Sequence, residues 1–286
     1  MYTAAIENAS GSVYVLTGDE PVYQVLSIQG LNPPSAQLNI TNIVGLDGAK
    51  YNSARLNTRE IVVTVKINGE VEKNRLNLYK YFVTKEWCRF SYKNDSLDVF
   101  IEGYVENVEC DQFSNAETAQ ISILCPSPYF ESQEEYVEDG SAVSAQFEFP
   151  FSIDYDDPVV ISELLVASVT NVFNGTDTES GMYIDIEVVG TCNKIVITNT
   201  ETAQTFELDY VFQNGDRIRI NTYKGQKKVL LYRGGNTVNI FAAMKLGSVF
   251  FQLKPGDNTF SYQVDDGSNN QKVFIYFRHR ALYRGV

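Results

Sequence analysis

The stretch Arg59–Ile67, REIVVTVKI, puts Ile61, Val63, Val65 and Ile67 on one side and Val62, Thr64 and Lys66 on the other. A period of two suits a strand with one buried face and does not suit a helix. LDVFIEGYV repeats the pattern with Leu97, Val99, Ile101 and Val105, and AQISILC with Ile121, Ile123 and Cys125. The consequence is an antiparallel sheet with one face on a core.

One segment of this half reads differently. EKNRLNLYKYFVTKEW spaces Leu76, Tyr79, Phe82, Val83 and Trp87 as a helical stripe, with Lys73, Arg75, Lys80, Lys85 and Glu86 across from it. That pattern predicts an amphipathic helix near 72–86, its aromatic stripe serving as core. Beyond it come MYIDIEVVG, KIVITNT, TFELDYVF, DRIRINTY, KKVLLYRG, SVFFQLKPGDNTFSYQVDDG and KVFIYFRHRALY, separated by turn pairs such as Asn214-Gly215, Gly234-Gly235, Pro255-Gly256 and Asp266-Gly267. Short strands so punctuated read as an antiparallel sandwich or jelly roll. The expected fold is therefore mainly β, with two unlike domains at residues 1–132, which carries the helix, and 133–286. The 286 residues suffice for two cores.

The join is CPSPYFESQEEYVED, Cys125 to Asp139. Pro126 and Pro128 stop ladder pairing, and Tyr129 and Phe130 can pin the exit against the first core. Its carboxylates fit an exposed connection, where domain boundaries fall.

Charge is segregated. The net charge is −13, yet no Lys or Arg occurs from Asn94 through Asn193 while acids run from Asp95 to Glu187. Folding can bring the two sets together on one surface. Alternatively, an acidic face of one copy meets a basic face of the next.

Chemistry is sparse. Cys88, Cys110, Cys125 and Cys192 form no C-x-x-C pair and suit buried reduced thiols. His279, flanked by Arg278 and Arg280, is the only histidine and reads as an exposed or edge-strand residue. No G-x-S-x-G elbow supplies it with a nucleophile. SQEEYVED and DYDDP fix no carboxylate separation for glycoside hydrolysis. NGTDTESG and DDGSNNQ lack the order of an EF-hand loop and suit polar turns. Arg59 and Tyr79 can be nominated as surface contacts, but a strand cap and core packing suit them better. No catalytic, cofactor-binding or metal-ligating residue is assigned, and no cofactor is expected. The acidic balance argues against nucleic-acid base recognition. No eighteen-residue apolar run or leader pattern calls for membrane insertion or export.

In order and coverage the chain resembles the bacteriophage distal tail protein family, also called siphovirus-type tail components. The likeness runs through VLSIQGLNPPSAQLNITNIVGLDGAKYNSARLNTREIVVTVKI, NRLNLYKYF, IEGYVENVECDQF and AQISILCPSPYF, then NVFNGTDTESGMYIDIEVVG, NGDRIRINTYKGQKKVLL, LKPGDNTFSYQVDDG and ALYRGV. The resemblance implies an N-terminal β-sandwich-like domain with one helix and a projecting β-hairpin arm, then a galectin-like sandwich. It implies a structural, non-enzymatic part of the virion's tail tip, or baseplate, assembled in the bacterial host cytoplasm. Its partners would be itself, as a homo-hexameric ring, the tail tube protein, and a hub, tail-associated lysin or fibre protein. Receptor-binding proteins would dock outside, linking the protein to host attachment. A carbohydrate-binding adhesin acting through the C-terminal sandwich is the alternative, and an enzyme on carbohydrate or peptide a third reading.

Overall fold

The computed structural model describes residues 2–17, 22–45, 47–111, 117–140, 142–145, 162–165, 169–176, 178–267 and 270–286, with the side chains of 142–145 and 162–165 excepted. The acids of DYDDP, and Asp177 of NGTDTESG, lie outside these residues. The chain divides into two compact units: unit 1 is Met1–Glu134 with Leu282–Val286, and unit 2 is Glu135–Ala281. The division thus falls two residues beyond the expected boundary, and the last five residues return to unit 1.

Unit 1 contains β1 (Thr3–Asn8), β2 (Val13–Val15), β3 (Tyr23–Gln29), β4 (Ala36–Asn42), β5 (Ala49–Leu56), β6 (Arg59–Ile67), α1 (Val71–Tyr81), β7 (Trp87–Lys93), β8 (Asp98–Cys110), β9 (Thr118–Cys125) and β10 (Phe130–Ser132). Its main sheet is antiparallel in the order β2-β1-β7-β8-β9-β6-β3, with β10 paired to β8. The alternation read from the sequence is what builds it. Ile61, Val63, Val65, Ile67, Val99, Ile101, Val105, Ile121, Ile123 and Cys125 are all buried in one core.

The helix is shorter than its pattern suggests, and turned. It ends at Tyr81, Lys85 takes φ 74°, and Trp87 opens β7. Leu78 and Phe82 are its core contacts, whereas Leu76 and Val83 are exposed. The β-branched pair Val83-Thr84 and the left-handed turn at Lys85 stop the helix. Two tyrosines then tie it down, Tyr81 donating to the Ile6 carbonyl at 2.9 Å and Tyr23 to the Asn74 carbonyl at 2.8 Å.

Unit 2 contains β11 (Tyr136–Asp139), β12 (Ala142–Ala145), β13 (Ser162–Leu165), β14 (Thr170–Asn174), β15 (Tyr183–Val188), β16 (Cys192–Asn199), β17 (Gln204–Phe212), β18 (Arg217–Asn221), β19 (Lys228–Arg233), β20 (Asn236–Asn239), β21 (Gly256–Val264) and β22 (Val273–His279). Two antiparallel sheets, β11-β22-β15-β18-β19-β20 and β14-β21-β16-β17, enclose a single core. Ile184, Ile186, Ile218, Ile220 and Ile275 face Ile195, Ile197, Phe206 and Leu208, and Phe260 stacks on Phe277 at 5.1 Å. This is a β-sandwich built from inward alternation on both sheets. β12 and β13 form a separate pair. A last strand, β23 (Leu282–Tyr283), pairs with β10 in unit 1.

His279 is not exposed or at an edge. It lies on β22, second in its sheet, in register with Val273, Ile275 and Phe277, and is buried. Arg278 sits at an alternate position, on the other face. The ring stacks on Tyr136 at 5.3 Å and donates to the Phe173 carbonyl, while Nδ1 has no hydrogen-bond partner. Burial lowers its pKa, opposed by the Phe173 contact. The neutral form is therefore favoured when folded, and the unfolded chain binds the proton more readily. Stability from this group is complete above the unfolded value near about 6.5 and is lost as pH falls below it, at up to roughly 1.4 kcal/mol per pH unit. Unit 2 should melt earlier at pH 5 than at pH 7.5, and His279→Phe should flatten that difference in calorimetry. An unchanged pH dependence would sink the assignment.

Candidate functional site

One surface feature with little support from its own chain is the hairpin β4–β5, a two-stranded sheet by itself. Its register pairs Ala36 with Leu56, Leu38 with Ala54, Ile40 with Tyr51 and Asn42 with Ala49. Gln37–Arg55, Asn39–Ser53 and Thr41–Lys50 therefore face the other way. The arm thus has an apolar face and a polar face. On the polar side Arg55 donates to Gln37 Oε1 at 2.7 Å, and at the bulge Asn52 donates to Thr41 Oγ1 at 2.7 Å. On the apolar side Leu38 is 58 % exposed, Ile40 55 % and Tyr51 59 %; at the tip Val44 is fully exposed. An isolated hairpin is marginal in water, and aliphatic and aromatic side chains in contiguous rows mark a contact surface.

The root of the arm is held by one buried side chain. Arg59 begins the strand after the arm and is 3 % exposed. Its Nε and Nη2 donate to the Pro128 carbonyl at 3.0 and 2.9 Å, Nη1 to the Asn32 carbonyl at 2.7 Å and to that of Gly30, and Nη2 also to that of Arg284. All five guanidinium N–H groups are thus used on backbone oxygens. The guanidinium also lies 4.5 Å over the Phe130 ring. Gly30 is fixed in type: at φ +88° a Cβ there would sit 2.0 Å from the Glu60 carbonyl oxygen. Arg59 is a staple and not an exposed contact. Tyr79, at the rim of a groove with Glu109 and Asp111, accepts from Arg75 at 3.4 Å.

The charge segregation is answered in part within the chain. Arg89 meets Glu102 at 2.6 Å and Lys93 meets Asp98 at 2.6 Å in unit 1. In unit 2 Arg219 holds Asp185 through Nε and Nη2 at 2.6 and 2.8 Å, Arg278 lies 3.0 Å from Asp185 and 3.6 Å from Glu135, and Arg217 lies 3.4 Å from Glu187. Asp185, Glu187, Arg217, Arg219 and Arg278, with Tyr232 and Tyr276, line a groove of about 520 Å³ on the outer face of the six-stranded sheet. Three guanidiniums there meet two carboxylates in the groove, with Glu135 beside Arg278, so most of its charge is balanced. Folding has brought several acids of residues 94–193, Asp98, Glu102, Glu135, Glu179, Asp185 and Glu187, to bases from outside that stretch.

Cysteine chemistry is quiet. Burial pushes the Cys88 and Cys125 thiols up to about 12 and the Cys192 thiol to about 11. Such thiols are poor nucleophiles near neutrality. Among the described residues, no three His, Cys, Asp or Glu side chains come together as a metal site, and no helix is long and apolar enough to cross a membrane.

An open sheet with one helix and an arm, followed by a sandwich, is the architecture of known phage tail components. The crystal structure of the Dit protein of phage SPP1, described as a paradigm of hub adsorption apparatus in phages infecting Gram-positive bacteria, matches with a TM-score of 0.67 at 14% identity, over 98% of this chain and 99% of that one. A chain of the phage P2 baseplate, activated with calcium, matches with a TM-score of 0.55 at 12% identity over the whole of both chains, and the strontium form with 0.54. Curated protein sequences provide no significant match. The sequence matches the phage tail protein RIFT-related domain over residues 10–125 and the C-terminal domain of the siphovirus-type tail component over residues 175–280. The chain is a virion component of a phage tail or baseplate. It belongs to the distal tail protein family.

Proposed function

We propose that this tail component closes into a ring of copies, hexameric as the family resemblance implies, which joins the tail tube to the hub, lysin or fibre. Residues 1–132 carry the ring and residues 133–286, a galectin-like sandwich, present surfaces to adhesion proteins. The protein works by assembly, without an active site. The observation that carries this reading is the arm, whose apolar face is uncovered within its own chain. Its occupant is a second copy. The main sheet of unit 1 supports this, because it is open at both ends: β2 exposes Val13 and Val15 at one edge, and β3 exposes Leu26 at the other. Two different edges and one apolar arm suit a heterologous contact, the kind that closes rings. A separate carbohydrate-binding role has no comparable observation behind it.

Because Asp98, Glu102, Glu135, Glu179, Asp185 and Glu187 of the basic-free stretch are ion-paired in their own chain and the arm's uncovered face is apolar, the ring is held chiefly by apolar contact. Light scattering should give the same mass at low salt and at about 1 M salt, where the Debye length falls to roughly 3 Å. Negative-stain images should show an axial hole. A monomer at every concentration would end the ring reading; a ring that falls apart with salt would return its cohesion to charge pairing.

A further inference from the structure

The residues Leu282–Val286 do more than end the sequence. We propose that they are a latch that sets the direction of the arm. They follow directly from Ala281, the last residue of unit 2, and belong to unit 1. There, Leu282 and Tyr283 pair with Glu131 and Phe130. The Arg284 carbonyl takes a hydrogen bond from Arg59, and Val286 N–H donates to the Leu31 carbonyl at 3.0 Å. Gly285 packs so closely on the same segment that an added Cβ would lie 3.0 Å from Pro33 Cδ and 3.1 Å from the Leu31 carbonyl oxygen.

Leu31 to Pro33 is the stretch that leads into β4. The arm's other end is tied beside it, with Asn57 N–H donating to the Ser35 carbonyl at 3.1 Å, two residues before Arg59. Arg59 then joins Gly30 and Asn32 on the way in to Arg284 on the latch. A two-stranded hairpin has no third layer to orient it, so its direction is decided at this root. With the latch seated, the root is clamped from two sides. With it withdrawn, Arg59 loses one acceptor and Leu31 its partner, and the arm swings. Because the latch is continuous with unit 2, the segment that frees or fixes the arm is the one that unit 2 carries.

The test uses Gly285→Val in the full chain, which forces a branched side chain against Leu31 and Pro33. Trypsin cleavage after Lys50 and Arg55, both in β5, reports the arm, because cleavage follows the population of the open form. Digestion is done at a dilution where light scattering shows monomer for both proteins. The expected result is cleavage in the arm faster by about tenfold or more, with hydrogen exchange in β6, β8 and β9 unchanged. Equal cleavage rates would overturn the latch. Should Gly285→Val unfold unit 1, Gly285→Ala and removal of residues 284–286 decide the matter by the same readout. At higher concentration, faster cleavage with an unchanged ring mass would uphold the latch and remove the arm from the ring contact.

Discussion

Arg59→Met is expected to lower the stability of unit 1 by about 1–3 kcal/mol, the cost of leaving polar acceptors without their donor. The carbonyls of Gly30, Asn32, Pro128 and Arg284 would lose the donor shared among them, and a polar group stranded away from water costs about 1–3 kcal/mol. Methionine fills a similar length over the Phe130 ring, so the loss measures hydrogen bonds more than volume. Part of it is returned, because burial already disfavours the charged guanidinium and lowers its pKa. The two units need not unfold together. Hydrogen exchange of β6 and β9 amides should therefore be compared with that of β15 and β22. Loss confined to the first set confirms the staple, and a change under about 1 kcal/mol would show that water takes over the four oxygens.

How much of this was legible depends on which force placed each residue. The strands of both units could be read because one buried face imposes a period of two on Ile61 to Ile67 as on Ile184 to Val188. The same rule places His279 in the core, since it continues the series Val273, Ile275, Phe277; reading its charged neighbours instead put it on the surface. The helix stripe failed for a different reason. Leu76 and Val83 fit a helical period, but the chain leaves the helix at Tyr81, so Val83 is no longer on it. Apolar spacing states which residues could share a face, and the stop decides which do.

The candidate site was hidden in two ways. The arm's alternation, Ala36, Leu38, Ile40 against Gln37, Asn39, Thr41, is present in the sequence, but alternation alone does not say that the apolar side stays uncovered. Arg59 carries no local signal at all. Its partners lie 27, 29, 69 and 225 residues away, and all are backbone oxygens, which any residue supplies. The join CPSPYFESQEEYVED was readable as an exit; its proline carbonyl as part of a staple was not. Charge segregation invited an assembly role, yet ion pairs such as Arg219–Asp185 and Lys93–Asp98 absorb part of it within the fold.

Leu38→Asp with Ile40→Asp should leave the protein monomeric at concentrations where the parent forms rings, with its fold intact. Both side chains are already exposed in the single chain, and surface changes of this kind alter stability by only about 0.5 kcal/mol. In the ring their position differs. If Leu38, Ile40 and Tyr51 are covered by the next copy, each contributes up to roughly 1–2 kcal/mol of apolar burial, since a little over half of each is exposed beforehand, and a carboxylate left unpaired in that contact adds a desolvation cost of about 2 kcal/mol or more. The penalty recurs at every interface of a closed ring, so partial assembly gains nothing over monomer. Light scattering supplies the mass, and far-ultraviolet circular dichroism with the melting curve shows whether the monomer is native. A native monomer places the ring contact on the arm's apolar face; an intact ring would move it to the β2 and β3 edges, where Val13→Asp and Leu26→Asp would then be the disruptive changes.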